Sequence, residues 1–328
     1  MGNITSTGEV ADAIGVWYSP SLLDVAVSKL IHMQFGMKKS LPQGHGFKIR
    51  FGRFEELDEA TAALSETTDP DGQTMVVTRM DAILEEYGDV VIITDAVKMT
   101  VSDPVLNQTN KRLGEQMGRT LDTLTLDALV ATGSVYQCQY GGNGNAITEY
   151  TQEDGDEIID TLLNVDAEMF TPVVEGTNKF GTSPLDESYC TMAHTKLYKD
   201  LKKVSSWVPK NQYPNQSKFY IGERGYTDNN RWCLTSKGSV DTSGGYDIYD
   251  FITTGVDAYG VVDMEGEGFN EQGMDGNGNI MPAQTIYTAP GGASDRLNRK
   301  HSLGWKAYHA CRILNDNWLL RGRCSLAA

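Results

Sequence analysis

Lysine and arginine are in short supply in this sequence: 28 stand against 44 aspartates and glutamates in 328 residues, a formal charge of −16. Proteins that grip nucleic acid gain most of their affinity by neutralising phosphates with basic side chains, so binding DNA along its length is excluded. An anionic membrane surface is disfavoured for the same reason. Long apolar runs are missing too, since no stretch approaches the ~20 apolar residues of a membrane span. The first twelve residues hold Glu9 and Asp12 with no base and no apolar run, so they read as no secretory signal. Met1-Gly2-Asn3-Ile4-Thr5-Ser6 fits the myristoylation pattern, but that pattern is short and common. Cysteine is sparse: Cys138, Cys190, Cys233, Cys311 and Cys324 are widely spaced, with no C-x-x-C pair. That fits unpaired thiols in a reducing compartment, and neither a disulfide framework nor a zinc site.

Catalytic patterns are absent as well. His32, His45, His194, His301 and His309 contain no H-E-x-x-H and no pair at ligand spacing, and lone histidines of this kind are usually structural. There is no G-x-S-x-G elbow, no P-loop and no G-x-G-x-x-G between a strand and a helix. Asp275-Gly276-Asn277-Gly278-Asn279 imitates a calcium loop, but Ile280 replaces the required glycine and Ile286 the bidentate glutamate. Asp69-Pro70-Asp71-Gly72-Gln73 fails likewise. Glu85-Glu86 is unremarkable in so acidic a chain and does not make a glycosidase pair. No catalytic, cofactor-binding or metal-ligating residue is assigned.

What is present is an ordinary globular composition, 40% hydrophobic with 34 glycines, at a length suited to one large or two small domains. The charge is segregated. No base occurs between Arg53 and Arg79, where Glu55, Glu56, Asp58, Glu59, Glu66, Asp69 and Asp71 fall, nor from 120 to 178 or from 238 to 295. Ten bases lie in 179–237 and seven in 296–323, where Asp316 is the only acid. Such blocks are either solvated faces or faces that meet in copies of the same molecule.

Ser19, Pro20 and the stripe Leu23, Val27, Leu30 and Ile31 predict a helix from 20 to about 35, stopped by Gly36. The alternation Phe47–Phe51 predicts a strand whose partner begins at Thr74–Thr78; Val90–Thr94 predicts a third, after a turn at Tyr87-Gly88-Asp89. The roughly twenty residues between the first two strands, seven of them acidic, are long for a loop, and an isolated hairpin is marginal in water, so something outside the domain should hold it. A long helix is expected over 104–132. Asp103 is its N-cap, Gly133 its stop, and Leu106, Leu113, Met117, Leu121, Leu124 and Ala128 form one stripe. Gly114 and Gly118 would let another backbone approach closely. A helix over 153–167, a strand at Cys190–Ala193, a basic helix near 195–204 and a C-terminal hairpin, 305–313 turning at Asn315-Asp316-Asn317 into Trp318-Leu319-Leu320, complete the reading.

Seven segments in order carry a further pattern: Gln34-Phe35-Gly36, Tyr87-Gly88-Asp89, Gly118-Arg119-Thr120-Leu121-Asp122, Ile221-Gly222-Glu223, Gly255-Val256-Asp257-Ala258-Tyr259-Gly260, Gly304-Trp305-Lys306-Ala307 and Ile313-Leu314-Asn315-Asp316. Together they resemble the N4-type major capsid proteins of tailed bacteriophages, over essentially the whole chain. No single segment is specific; the order and spacing are. The resemblance implies an α+β chain with the HK97 capsid fold. Residues 1–45 would be an N-terminal arm and 46–94 an extended E-loop hairpin. Residues 95–139 and 284–328 would form a peripheral domain with a spine helix at 104–132, and 140–283 an axial domain. Arg296 departs from the pattern, since related sequences usually carry proline there.

The implied activity is self-assembly through pentamers and hexamers into an icosahedral phage head, without enzymatic chemistry or cofactor. The chain would enclose double-stranded DNA and work with scaffolding, portal and decoration proteins, in the virion and, during assembly, in the host cytoplasm. The acidic tip Glu55, Glu56, Asp58 and Glu59 would face bases of a neighbour, either Lys196, Lys199, Lys202 and Lys203 or Arg296, Arg299 and Lys300. Leu113, Gly114, Met117, Gly118, Leu121 and Leu124 would pack the spine helix. An encapsulin-like nanocompartment shell is the nearest alternative; an acidic intracellular hydrolase and a calcium-dependent binding module are more distant ones.

Overall fold

The computed structural model describes residues 30–41, 46–55, 57–61, 72–95, 105–171, 185–214, 219–243, 245–264, 283–288, 297 and 299–327. In chain order the strands are β1 Met37–Leu41, β2 Lys48–Phe54, β3 Val77–Ile83, β4 Glu85–Thr94, β5 Val135–Gln137, β6 Tyr189–His194, β7 Val208–Pro209 and β8 Glu223–Thr227. They continue as β9 Asn230–Thr235, β10 Val240–Asp241, β11 Ile248–Thr254, β12 Tyr259–Met264, β13 Ala283–Thr288, β14 Lys300–Ile313 and β15 Leu319–Cys324. The helices are α1 Val105–Val130, α2 Gln152–Leu163 and the single turn α3 Tyr198–Leu201.

Two sheets form the body. The first runs β1-β12-β14-β13 with β4 also on β14, so residues 302–307 lie between β13 and β4. The second runs β5-β15-β11-β6-β9-β8-β7, with β10 added to β11. Its strands β6, β9 and β11 are buried almost throughout, as expected of strands covered on both faces. The third unit is the two-stranded β2–β3, paired from Lys48↔Ile83 to Phe54↔Val77.

The long helix forms where the apolar stripe places it, with Leu113, Met117 and Leu121 fully buried against β14 and Gly114 and Gly118 buried beside them. Its last turns depart from the expected line. Leu124 and Ala128 are only half-buried, and Thr125, Leu126 and Leu129 take the deep positions. Thr125 tolerates burial because its hydroxyl donates to the Leu121 carbonyl at 3.0 Å and meets His309 Nε2 at 3.1 Å. Gly133 ends the helix as expected, its amide donating to the Asp316 carboxylate. The N-cap Asp103 lies outside the described residues. Helix α2 carries a capping box between Thr151 and Asp154.

Several expectations are corrected. Residues 30–35 of the first expected helix form turns and irregular chain instead, and 20–29 lie outside the described residues. The partner of β2 begins at Val77, three residues later than the alternation suggests. Tyr87-Gly88-Asp89 is no turn but the middle of β4, opposite Trp305–Ala307. Gly88 is required there because a Cβ would lie 2.5 Å from the Trp305 carbonyl oxygen. The C-terminal hairpin does not exist: β14 and β15 belong to different sheets, and the residues between them lead the chain from one to the other. The basic helix is reduced to a 3-10 turn, Thr195–Leu197, followed by α3.

Candidate assembly site

The segments that carried the sequence pattern meet one another in space. Asp122 on α1 accepts the backbone amides of Ile31 and His32, both at 2.8 Å on Oδ1, while its Oδ2 faces His32 Nδ1 at 2.9 Å. The Tyr259 hydroxyl donates to the His32 carbonyl. Two residues on, the Gln34 side chain reads the backbone of Ile221, donating to its carbonyl at 3.1 Å and accepting its amide at 3.0 Å. Phe35 lies edge-on to Tyr220 and Phe170. Gly36 leaves room for Tyr259, whose ring would stand 2.6 Å from a Cβ at that position. Leu314 and Asn315 both donate amides to the Ala258 carbonyl. Gln116 closes the set, donating to Asp89 and accepting from Trp305 Nε1 at 3.3 Å. The segment 30–36 is thus pinned to α1 and β12 by buried polar bonds and to the turn before β8 by exposed ones.

Asp122 and His32 were missed as functional residues. The available signal is an acid directly beside the buried Leu121 on an amphipathic helix, where a charge demands a partner.

The hairpin is the opposite kind of surface. Of β2 and β3 only Phe51 and Ala82 are buried, packed with Leu41, Val262, Ala310 and Leu314 at the hairpin's base. Phe54 toward the tip and Ile83 at the base end are each 63% exposed, and Met75, Val76 and Leu57 are exposed as well. Ile92 on β4 is 60% exposed, with Val90 beside it. Apolar groups gathered in this way mark a surface that another surface covers.

The expected charge partners are found in the following places. Glu55 is turned inward along the hairpin, bonded by the Thr78 hydroxyl and Arg53, which hold its carboxyl below the usual range. Asp58 and Glu59 are exposed, and Glu56 lies outside the described residues. Lys196, Lys199, Lys202 and Lys203 are exposed on the segment containing α3. Lys203 pairs with the buried Asp200 at 2.9 Å, and Lys202 stands over the Tyr198 ring at 4.2 Å. The latter borders an open depression of about 800 Å³ with Trp207, Lys210, Phe219 and Arg224. Arg299 and Lys300 are exposed beside β4, where the Asp95 amide donates to the Arg299 carbonyl; Arg296 lies outside the described residues. No cluster of three or more metal-ligating side chains occurs among the described residues, and no helix among them is long and apolar enough to cross a membrane.

Two mixed sheets, one long helix buried against the first of them, and a two-stranded projection define the α+β fold of tailed-phage capsid subunits, the HK97 type. Solved structures of like fold include phage heads. The capsid of Ralstonia phage GP4 matches with a TM-score of 0.64 at 9% identity, over 90% of this chain and 88% of that one. The head of Helicobacter pylori bacteriophage KHP40 matches at 0.60 and 11% identity, over 98% of both chains. The capsid of the cyanophage P-SCSP1u matches at 0.59 and 12% identity, over 89% of this chain and 87% of that one. No family model matches the sequence, and neither does any curated protein.

Proposed function

We propose that the chain is a major capsid protein of a tailed phage, of the N4 type suggested by its seven ordered segments. The observation that carries this reading is the pairing of a capsid-subunit fold with a projecting hairpin whose apolar side chains have no cover within the chain. A soluble monomer leaves few such residues together, whereas a subunit that is covered by its neighbours requires them. The neighbours in fold are phage heads, which favours a phage shell over an enzyme-loaded nanocompartment.

On this reading the activity is structural, with copies associating around pentameric and hexameric axes. The body divides by sheet: the five-stranded sheet with α1 acts as the peripheral part and the eight-stranded sheet as the axial part. By strand pairing, β12 then joins the former and β5 and β15 the latter, so the parts interleave along the chain. The segment up to 45 serves as the arm and β2–β3 as the E-loop. The exposed acids of the tip meet the 196–203 bases or Arg296, Arg299 and Lys300 of a neighbour, each rim pair contributing ~0–1 kcal/mol. Scaffolding and portal proteins and enclosed double-stranded DNA are the partners of such a shell. Sedimentation velocity on the purified protein tests the reading: fast-sedimenting assemblies of many chains are expected, and a single slow boundary of monomer at high concentration would refute it.

A further inference from the structure

Two of the five cysteines stand opposite each other. β5 and β15 run parallel with Gln137↔Arg323 as their last named pair, and the ladder continues one residue further. There the Cys138 amide donates to the Arg323 carbonyl at 3.0 Å, the bond that a parallel ladder makes when Cys138 faces Cys324. Neighbouring strands lie ~4.8 Å apart, inside the ~4.4–6.8 Å between Cα atoms that a disulfide spans. Both side chains are wholly buried in the same apolar cluster with Tyr150, Phe251 and Trp232, so they point to one side of the sheet. The Cys324 thiol is otherwise engaged only weakly, donating to the Tyr249 carbonyl at 3.6 Å. Cys190 and Cys233 make the contrast: they lie on adjacent parallel strands but two places out of register, since Cys190 faces Arg231 and Met192 faces Cys233.

We propose that Cys138 and Cys324 are a paired-thiol oxidation site that a peroxide-class oxidant converts into an intrachain disulfide. The step balances as follows. Hydrogen peroxide oxidises one sulfur to the sulfenic acid and releases one water. The second sulfur then displaces hydroxide from it, and a second water leaves as the S–S bond forms. Two thiols and one peroxide give one disulfide and two waters. The bond ties the edge strand β5, which follows the spine helix, to β15, which β11 already holds. Contact with the Cys324 thiol and burial push the Cys138 thiol far above its ordinary value. Little thiolate therefore forms in the closed state, and the reaction proceeds through local opening of this edge. The pair stays reduced in a reducing cytosol and closes when the protein meets oxidant.

This inference does not depend on the shell reading and is tested on the full-length chain. The reduced protein is exposed to hydrogen peroxide, freed of it, denatured in N-ethylmaleimide and weighed. Three alkylated cysteines and a proteolytic fragment joining Cys138 to Cys324 are expected. Cys138→Ala and Cys324→Ala should each abolish that fragment and leave four alkylated cysteines. Five alkylated cysteines in the wild type, a sulfenic acid that persists without a cross-link, or a disulfide between any other pair would overturn the assignment.

Discussion

Asp122 and His32, 90 positions apart, are joined twice: the His32 amide donates to Oδ1 and its ring nitrogen faces Oδ2, both within 2.9 Å. Both residues are almost wholly buried, and Oδ1 takes the Ile31 amide as well. One carboxylate thereby satisfies three buried polar groups of the segment that leads into β1.

Removing that carboxylate strands all three groups. Asp122→Ala should cost ~3–5 kcal/mol, the usual loss when one partner of a buried pair is taken away. Asp122→Asn, which keeps one acceptor oxygen, should cost less. Urea unfolding measures the first effect, and faster proteolytic cleavage near 30–36 in the alanine variant reports release of the segment. A stability within ~0.5 kcal/mol of wild type would show that the segment is not held here.

Gly88 supports a second expectation. A methyl group at this position meets the Trp305 carbonyl oxygen, which is backbone and fixed between β4 and β13. Gly88→Ala should lose ~1–3 kcal/mol through overpacking and loosen β4 from β14. Hydrogen exchange at the β4 amides is the direct check. Gly142→Ala, where no atom lies within 4 Å of the added carbon, is the matched control and should be nearly neutral.

Acid sensitivity follows from Asp241. The Ser243 hydroxyl and amide, with Arg323 behind them, lower its carboxyl from an ordinary 3.8 to about 2. A carboxyl depressed in the folded state contributes stability above its unfolded value and loses that contribution as pH falls through the folded one. The contribution should be complete at about pH 5 and gone by about pH 1. Melting curves of wild type and Asp241→Asn should therefore differ at the upper end of this window and converge at the lower end. A constant difference across it would assign the effect to something other than this ionisation.

The projecting hairpin makes the fourth expectation. Deleting 55–73 should leave a soluble, folded subunit that forms no closed shells, since the buried contacts of β2 and β3 lie at the base, outside the deletion. Normal particles from the deletion would refute the E-loop assignment. Replacing Glu55, Glu56 and Glu59 with lysine should lower particle yield; an unchanged yield would sink the charge pairing. Glu55 is already bonded by Thr78 and Arg53, so among the tip residues described the effect should come mainly from Glu59.

Much of the frame was legible from local signals. The long helix α1 showed because one stripe and a glycine stop agree over many residues, and β6 showed because its run is short, apolar and bounded. What failed was non-local. Gly88 looked like a turn residue because sequence alone cannot distinguish a glycine that bends the chain from one that admits a carbonyl. The last two strands looked like a hairpin because alternation reveals a strand but not its sheet. Thr125 disturbed the apolar stripe because its polar group is satisfied by His309, 184 residues away. Asp122 stood within a recognised segment, yet its partners lie at 31 and 32, so its role emerged only with the fold.

The central claim is that this chain builds a shell from copies of itself. Negative-stain electron microscopy of the expressed protein tests it most directly. Shells, tubes or rings are the predicted result, and a uniform field of isolated single chains at assembly concentrations would contradict it.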